Sequence, residues 1–233
     1  MRFGKSDKIQ FISTVEGLET IKECLPKPAK HFIPKWFKDI PPKEIRTVKD
    51  CPSFPDYFSQ GYIIPMWSDV RLQSDKGNWS WSTPNEQITW SDHGNNQFIN
   101  HTKTNFNGVE GQFVFKTKCP WKIITPPGWS VLQLPLFYHF NQEWSVLPGV
   151  IDTDIHHEIN QQVLYHGNGK QIQINAGDPF VLYIPFKRSN KLKTILRYQT
   201  EKDIKLFKKQ DLRFKNFFSP DGWYRKAQRE RDE

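Results

Sequence analysis

The apolar positions of the chain change their spacing along its length. Val15, Leu18, Ile21 and Leu25 recur at helical intervals, Ser13 and Glu16 stand at the spacing of a capping box, and Pro26 and Pro28 end the run. A short amphipathic helix is predicted there. Beyond it Pro34, Pro41, Pro42, Pro52 and Pro55 exclude long helices, while Phe32, Ile33, Trp36 and Phe37 supply apolar groups. This pattern predicts an extended arm whose rings are buried on a neighbouring surface, either the chain's own core or another copy.

From Gly61 to Arg188 the pattern shortens to runs of strand length bounded by turn residues. Strands are predicted over Tyr62 to Leu72, Trp79 to Ser82, Gln87 to Trp90, Gln112 to Thr117, Ser130 to Phe140, Glu158 to His166, Lys170 to Asn175 and Phe180 to Phe186. Many short strands with almost no helix between them imply a mainly β sandwich or barrel. Gly167-Asn168-Gly169 separates two of these strands, and an Asn-Gly pair supplies the positive φ values of a tight turn, so a hairpin is expected.

Past Ser189 the chain turns helical and basic. Thr200-Glu201-Lys202-Asp203 can cap a helix that carries Ile204 and Phe207 on one side and Lys202, Lys205, Lys208 and Lys209 around the rest. The expected organisation is therefore a helix and proline-rich arm over residues 1–60, a β domain over 61–188 and a basic helical extension over 189–233, all one structural unit.

Composition narrows the class. The 233 residues include 9 Trp, 7 Tyr and 18 Phe, too much apolar surface for a disordered chain, and a chain of this length buries about 70–75% of its unfolded surface. The formal net charge of +8 comes from 33 Lys and Arg against 25 Asp and Glu; it favours anionic partners but is also an ordinary solubility charge. Three cysteines without a C-x-x-C spacing argue against a disulfide framework or a cysteine zinc site, and no run approaches a membrane span, so no membrane association is expected.

One segment carries a chemical signature. Pro148-Gly149-Val150-Ile151-Asp152-Thr153-Asp154 precedes a strand, the Asn-Gly turn, a second strand and then Asn175-Ala176-Gly177-Asp178. From Thr125 to Pro185 this order resembles the core of the dUTPase and dCTP deaminase superfamily, in which a G-V-I-D-x-D-Y motif is followed by a G-D-R-I-A-Q-like one; Pro126-Pro127-Gly128 is similar to a turn in the deaminase members. The resemblance implies a β-clip or distorted jelly roll, a homo-oligomer of trimeric type with shared sites, Asp152 as the base on an attacking water, and magnesium on the phosphates, where a metal offsets developing charge. Asp154 would assist, Gly149, Ile151 and Ile155 would line the ligand, and Lys187 and Arg188 would stand in for phosphate donors. Departures concern the grip on substrate: Ile155 replaces the family's stacking Tyr, His157 a Gly, and Leu182 the Gln of the second motif, while no Arg-Ser pair lies in Val131 to Phe140 and Gly222 is the only glycine after Gly177.

A second resemblance spans more of the chain. Pro34-Lys35-Trp36-Phe37-Lys38, Cys51-Pro52-Ser53-Phe54, Gly61-Tyr62-Ile63-Ile64-Pro65, Thr125-Pro126-Pro127-Gly128 and Asp152-Thr153-Asp154 look like an uncharacterised family of tailed-phage and bacterial proteins. It implies a place in the cytoplasm of an infected host cell or in the virion, with a phage or host protein as partner.

Two further constellations are weighed against plainer roles. His156, His157 and Glu158 have metal-ligand chemistry, yet successive strand residues point to opposite faces. Trp79 and Trp81 share a strand face that bases can stack on, and with Lys205, Lys208 and Lys209 they form the nucleic-acid candidate; core packing is the commoner fate of such rings. Retention of the acidic turn alongside loss of substrate-gripping residues favours a non-catalytic binding or assembly protein that needs no cofactor. The alternatives are a nucleotide hydrolase or deaminase using Asp152 with magnesium, and a single-strand nucleic-acid binder.

Overall fold

A computed structural model describes residues 8–41, 47–75, 78–85, 89–92, 113–166, 169–189 and 193–214. The chain divides into two compact units, one of residues 1–34 with 60–190 and one of residues 35–59 with 191–233.

The first unit is mainly β, as expected. Its strands are β1 (Gln10–Ser13), β2 (Lys27–Pro28), β3 (Tyr62–Pro65), β4 (Val70–Asp75), β5 (Asn78–Ser82), β6 (Trp90–Asp92), β7 (Phe113–Lys118), β8 (Trp121–Ile124), β9 (Trp129–Leu134), β10 (Trp144–Val146), β11 (Gly149–Ile151), β12 (Asn160–Tyr165), β13 (Ile172–Ile174) and β14 (Pro179–Lys187). Every described pairing is antiparallel, in a five-stranded sheet ordered β11-β9-β14-β3-β2, a four-stranded sheet β10-β12-β7-β6, a three-stranded sheet β13-β4-β5 and the pair β1-β8.

Apolar residues from all four sheets meet in one core. Ile64, Leu72, Phe115, Ile123, Val131, Val163, Tyr165, Phe180 and Tyr183 are fully enclosed. Their rings meet edge-on, with centroids 6.0 Å apart for Phe115 and Tyr165 and 5.6 Å for Trp67 and Phe180, an arrangement that sets the positive ring edge against the negative face. Strand β12 is buried over most of its length and β14 from Phe180 to Tyr183, which explains why neither shows a clean polar alternation.

Three expectations are corrected. The amphipathic helix after Ser13 does not form: Ser13 ends β1, which is zipped to β8 from Gln10↔Ile124 to Ser13↔Trp121, and its hydroxyl closes a local turn with Val15. Gly17 then adopts φ +81, and only short 3-10 turns follow at Leu18–Thr20 and Lys22–Cys24. The helical spacing of Val15, Leu18 and Leu25 is real as a core pattern, since all three pack against the core from an irregular backbone. The hairpin expected around Gly167-Asn168-Gly169 is also absent: β12 pairs with β7 and β10, whereas β13 pairs with β4 in another sheet; Gly167 and Asn168 themselves lie outside the described residues. Third, the strand expected over Ser130 to Phe140 stops at Leu134, because Pro135 cannot donate to a ladder, and a 3-10 turn at Phe137–His139 follows.

In the second unit, α1 (Lys35–Asp39) and α2 (Ser53–Phe58) are as short as the prolines demand. They hold an aromatic cluster in which Phe37 and Phe58 are buried with ring centroids 4.9 Å apart, while Lys49 Nζ sits 5.9 Å above the Phe37 ring and donates to the Ile40 carbonyl at 2.5 Å. Helix α3 (Glu201–Phe214) carries the predicted cap: the Thr200 amide donates to the Asp203 carboxylate at 2.7 Å and the Asp203 amide to the Thr200 hydroxyl at 3.4 Å. Arg197 forks onto the same carboxylate and, with Thr200, holds Asp203 far below the usual aspartate range.

Candidate functional site

Strand β9 acts as the ruler that assembles the acidic turn. On one side β11 pairs with it at Ile151↔Val131, so Asp152 leaves the sheet beside Ser130. On the other side β14 pairs with it at Lys187↔Trp129, so Arg188, one residue further, arrives at the same end. The Pro126-Pro127-Gly128 turn precedes β9 and closes this end of the sheet; Gly128 sits at φ +84, and its carbonyl accepts the Arg188 amide at 2.9 Å.

The side chains that meet there form a clamp centred on Arg188. Its Nη2 donates to Asp154 Oδ2 at 2.5 Å and its Nη1 to Asp154 Oδ1 at 2.8 Å, the bidentate geometry in which a planar guanidinium holds a carboxylate most strongly. The same Nη1 lies 3.2 Å from Asp152 Oδ1, 2.9 Å from Ser130 Oγ and 3.0 Å from the Trp129 carbonyl. Ser130 donates in turn to Asp152 Oδ1 at 2.6 Å, and the Gly128 amide donates to Asp154 Oδ2 at 2.7 Å. Both oxygens of Asp154 are therefore engaged, and its side chain is only 7% exposed against 51% for Asp152. The Arg188 guanidinium and the Gly128 amide hold the Asp154 carboxyl below its usual range, and the carboxylates raise Arg188 in return.

Backbone and hydroxyl bonds fix the turn beneath. The Asp152 carbonyl accepts the Ile155 and His156 amides at 2.9 and 2.8 Å. Thr125 and Thr153 share a buried hydroxyl bond of 2.7 Å, and His157 Nδ1 lies 2.9 Å from the Thr153 carbonyl.

Of the residues singled out in sequence, Asp152, Asp154 and Arg188 are brought together, but Arg188 grips the two acids where a phosphate donor was expected. Lys187 is exposed at the end of β14. Gly149 opens β11 with no heavy atom within 4 Å of where a Cβ would stand, so nothing steric requires glycine there. Ile151 packs against the core, whereas Ile155 is 75% exposed. The metal candidates are dispersed: Glu158 pairs with Lys118 at 3.0 Å, His157 turns to the Thr153 carbonyl and His156 is exposed. Among the described residues no group of three or more His, Cys, Asp or Glu side chains is arranged to hold a metal ion.

The nucleic-acid candidates belong to different units, Trp79 and Trp81 to the first and Lys205, Lys208 and Lys209 to the second. Trp79 and Trp81 are half-buried against the core, Trp79 meeting Phe115 edge-on with centroids 5.9 Å apart, so their faces do not form an open platform. Lys205, Lys208 and Lys209 are exposed on α3. Sequence reasoning missed Ser130 and the Gly128 amide as members of the clamp; the proline-proline-glycine turn was the one available signal.

No family model and no curated protein matches the chain. Among solved structures it is similar to an EIAV dUTPase, at 13% identity over 60% of this chain and 86% of that one with a TM-score of 0.33. It is similar also to the dUTPase of phage phi11 of S. aureus, at 12% identity over 83% and 96% with a TM-score of 0.38, and to the dUTPase of Staphylococcus bacteriophage 80alpha, at 10% identity over 84% and 100% with a TM-score of 0.38. Overlaps this distant transfer neither residues nor activity.

Proposed function

We propose that this chain is a non-catalytic binding or assembly protein, built on a dUTPase-like β scaffold and acting as a phage accessory or virion component. The observation that carries the reading is the clamp. A phosphate-hydrolysing site needs carboxylates free to take up a metal or a water proton, and donors free to meet phosphate. Here the fork of Arg188 is spent on Asp154, Asp152, Ser130 and the Trp129 carbonyl. Magnesium would have to displace both the guanidinium and the Gly128 amide from Asp154. Where the family resemblance places a stacking Tyr, this chain presents exposed Ile155. The acidic turn thus serves to lock three chain segments together.

No described helix is long and apolar enough to cross a membrane. The aromatic half of the nucleic-acid alternative is packed against the core, which leaves only the α3 lysines to support it. Steady-state assays with dUTP and dCTP in magnesium test the proposal. The expected result is no turnover above the background shared with Asp152→Ala. Turnover abolished by that substitution would overturn the proposal in favour of a hydrolase or deaminase.

A further inference from the structure

Large apolar side chains are exposed on two of the described surfaces in particular. One is the strap that leads into α3. Residues 193–200 have no regular secondary structure, and Ile195, Leu196 and Tyr198 are 78%, 91% and 85% exposed. The strap is nonetheless held: Arg197 forks onto Asp203 and also donates to the Tyr198 carbonyl at 3.3 Å, while Thr200 caps the helix behind it. An ordered segment that presents three large apolar side chains has already met much of the entropic cost of docking.

The other surface is an open groove of about 900 Å³ in the β unit, on the irregular stretch after β9. Phe137 and Phe140, which line it, are 67% and 58% exposed, and Trp144 and Val146 of β10 close its base. Phe140 stands at φ +52, an uncommon backbone for a bulky side chain, which holds its ring at the groove. The carboxylates of Glu143 and Asp178 also belong to the lining, a local reversal of sign on a chain whose net charge is +8.

We infer that the strap of one copy docks in the groove of a second copy. Leu196 and Tyr198 supply apolar surface for Phe137 and Phe140, and Lys193 at the head of the strap suits the groove's carboxylates. Two copies of charge +8 repel each other over most of their surface, so association needs a patch of opposite sign with an apolar centre; strap and groove together provide one. The contact is heterologous, strap to groove, and closes into a ring when the rotation between copies permits. It rests on the assembly reading above and names its surface, yet the two fail separately: nucleotide turnover bears on the first and molar mass on the second.

Sedimentation and light scattering of the full chain over a range of concentrations provide the test, with Leu196→Asp removing the strap and Phe137→Asp the groove. Both sites are exposed, so folding is retained, checked by circular dichroism. The parent is expected to associate, and each variant to associate at least tenfold more weakly. A mixture of the two variants recovers heterodimers, because one intact strap still meets one intact groove. A charge exchange adds a second arm: Lys193→Glu and Glu143→Lys each weaken assembly, and the double variant restores it. A parent that is monomeric throughout, a variant that assembles like the parent, or a mixture no heavier than its components would overturn the inference.

Discussion

Tyr183→Phe removes a single oxygen from the middle of β14, the strand that delivers Arg188 to the clamp. That hydroxyl is fully buried; it donates to Gln133 Oε1 at 2.8 Å and accepts from Gln161 Nε2 at 2.9 Å. Gln133 is anchored further by its donation to the Leu147 carbonyl at 2.8 Å. Burial holds the Tyr183 proton in place well above the ordinary tyrosine range, so the hydroxyl is neutral at every working pH. Its removal strands two buried polar groups at about 1–3 kcal/mol each, partly offset because the hydroxyl no longer has to be desolvated, for a net loss of about 2–4 kcal/mol. Urea unfolding followed by tryptophan fluorescence reads this loss. A cycle with Gln161→Leu should show coupling of about 0.5–3 kcal/mol, since the second change removes a group that the first left unpaired. A Tyr183→Phe variant within about 0.5 kcal/mol of the parent would refute the claim that this network ties β9, β12 and β14 together.

Two other expectations follow from particular contacts. Gly61→Ala would place a Cβ 2.2 Å from the Tyr183 carbonyl oxygen at a residue with φ +68, so strain and overpacking together should cost about 3 kcal/mol in the same unfolding assay; a neutral effect would show that β3 and β14 can part there. Asp154 has a folded-state pKa below its ordinary value of 3.8, so the unfolded chain binds more protons as acidity rises, and the clamp's contribution is present above pH 3.8 and lost as pH falls through the depressed value. Asp154→Asn should lower stability at neutral pH and flatten that acid limb, whereas an acid limb identical to the parent's would show that Asp154 is not the linked group.

The sequence was most legible where local chemistry and tertiary packing ask for the same thing. The Thr200 to Asp203 box caps α3 as read, and the predicted strands over Trp79 to Ser82, Gln112 to Thr117 and Phe180 to Phe186 lie within a residue or two of β5, β7 and β14. It was least legible where a local signal competed with burial. Ile172 and Ile174 are buried in the pairing with Leu72 and Val70, which draws β13 into the sheet of β4 and away from β12, so an Asn-Gly turn signal did not decide the partner. Strands β10 and β11 have three residues each, too few for a periodic pattern. The clamp shows both sides: the acidic turn was visible as a motif, but Arg188 lies 34 residues from Asp154, and only the register of β9 with its two neighbours brings them together.

Whether the clamp leaves any capacity to hold a nucleoside triphosphate is decided most directly by thermal unfolding of the full chain with magnesium and dUTP, dCTP or their diphosphates. A ligand at 100 times its dissociation constant stabilises its target by about 2.7 kcal/mol. With Arg188 committed to Asp152 and Asp154, no nucleotide is expected to move the transition. A saturable shift with any of them, lost in Asp152→Ala, would contradict the account.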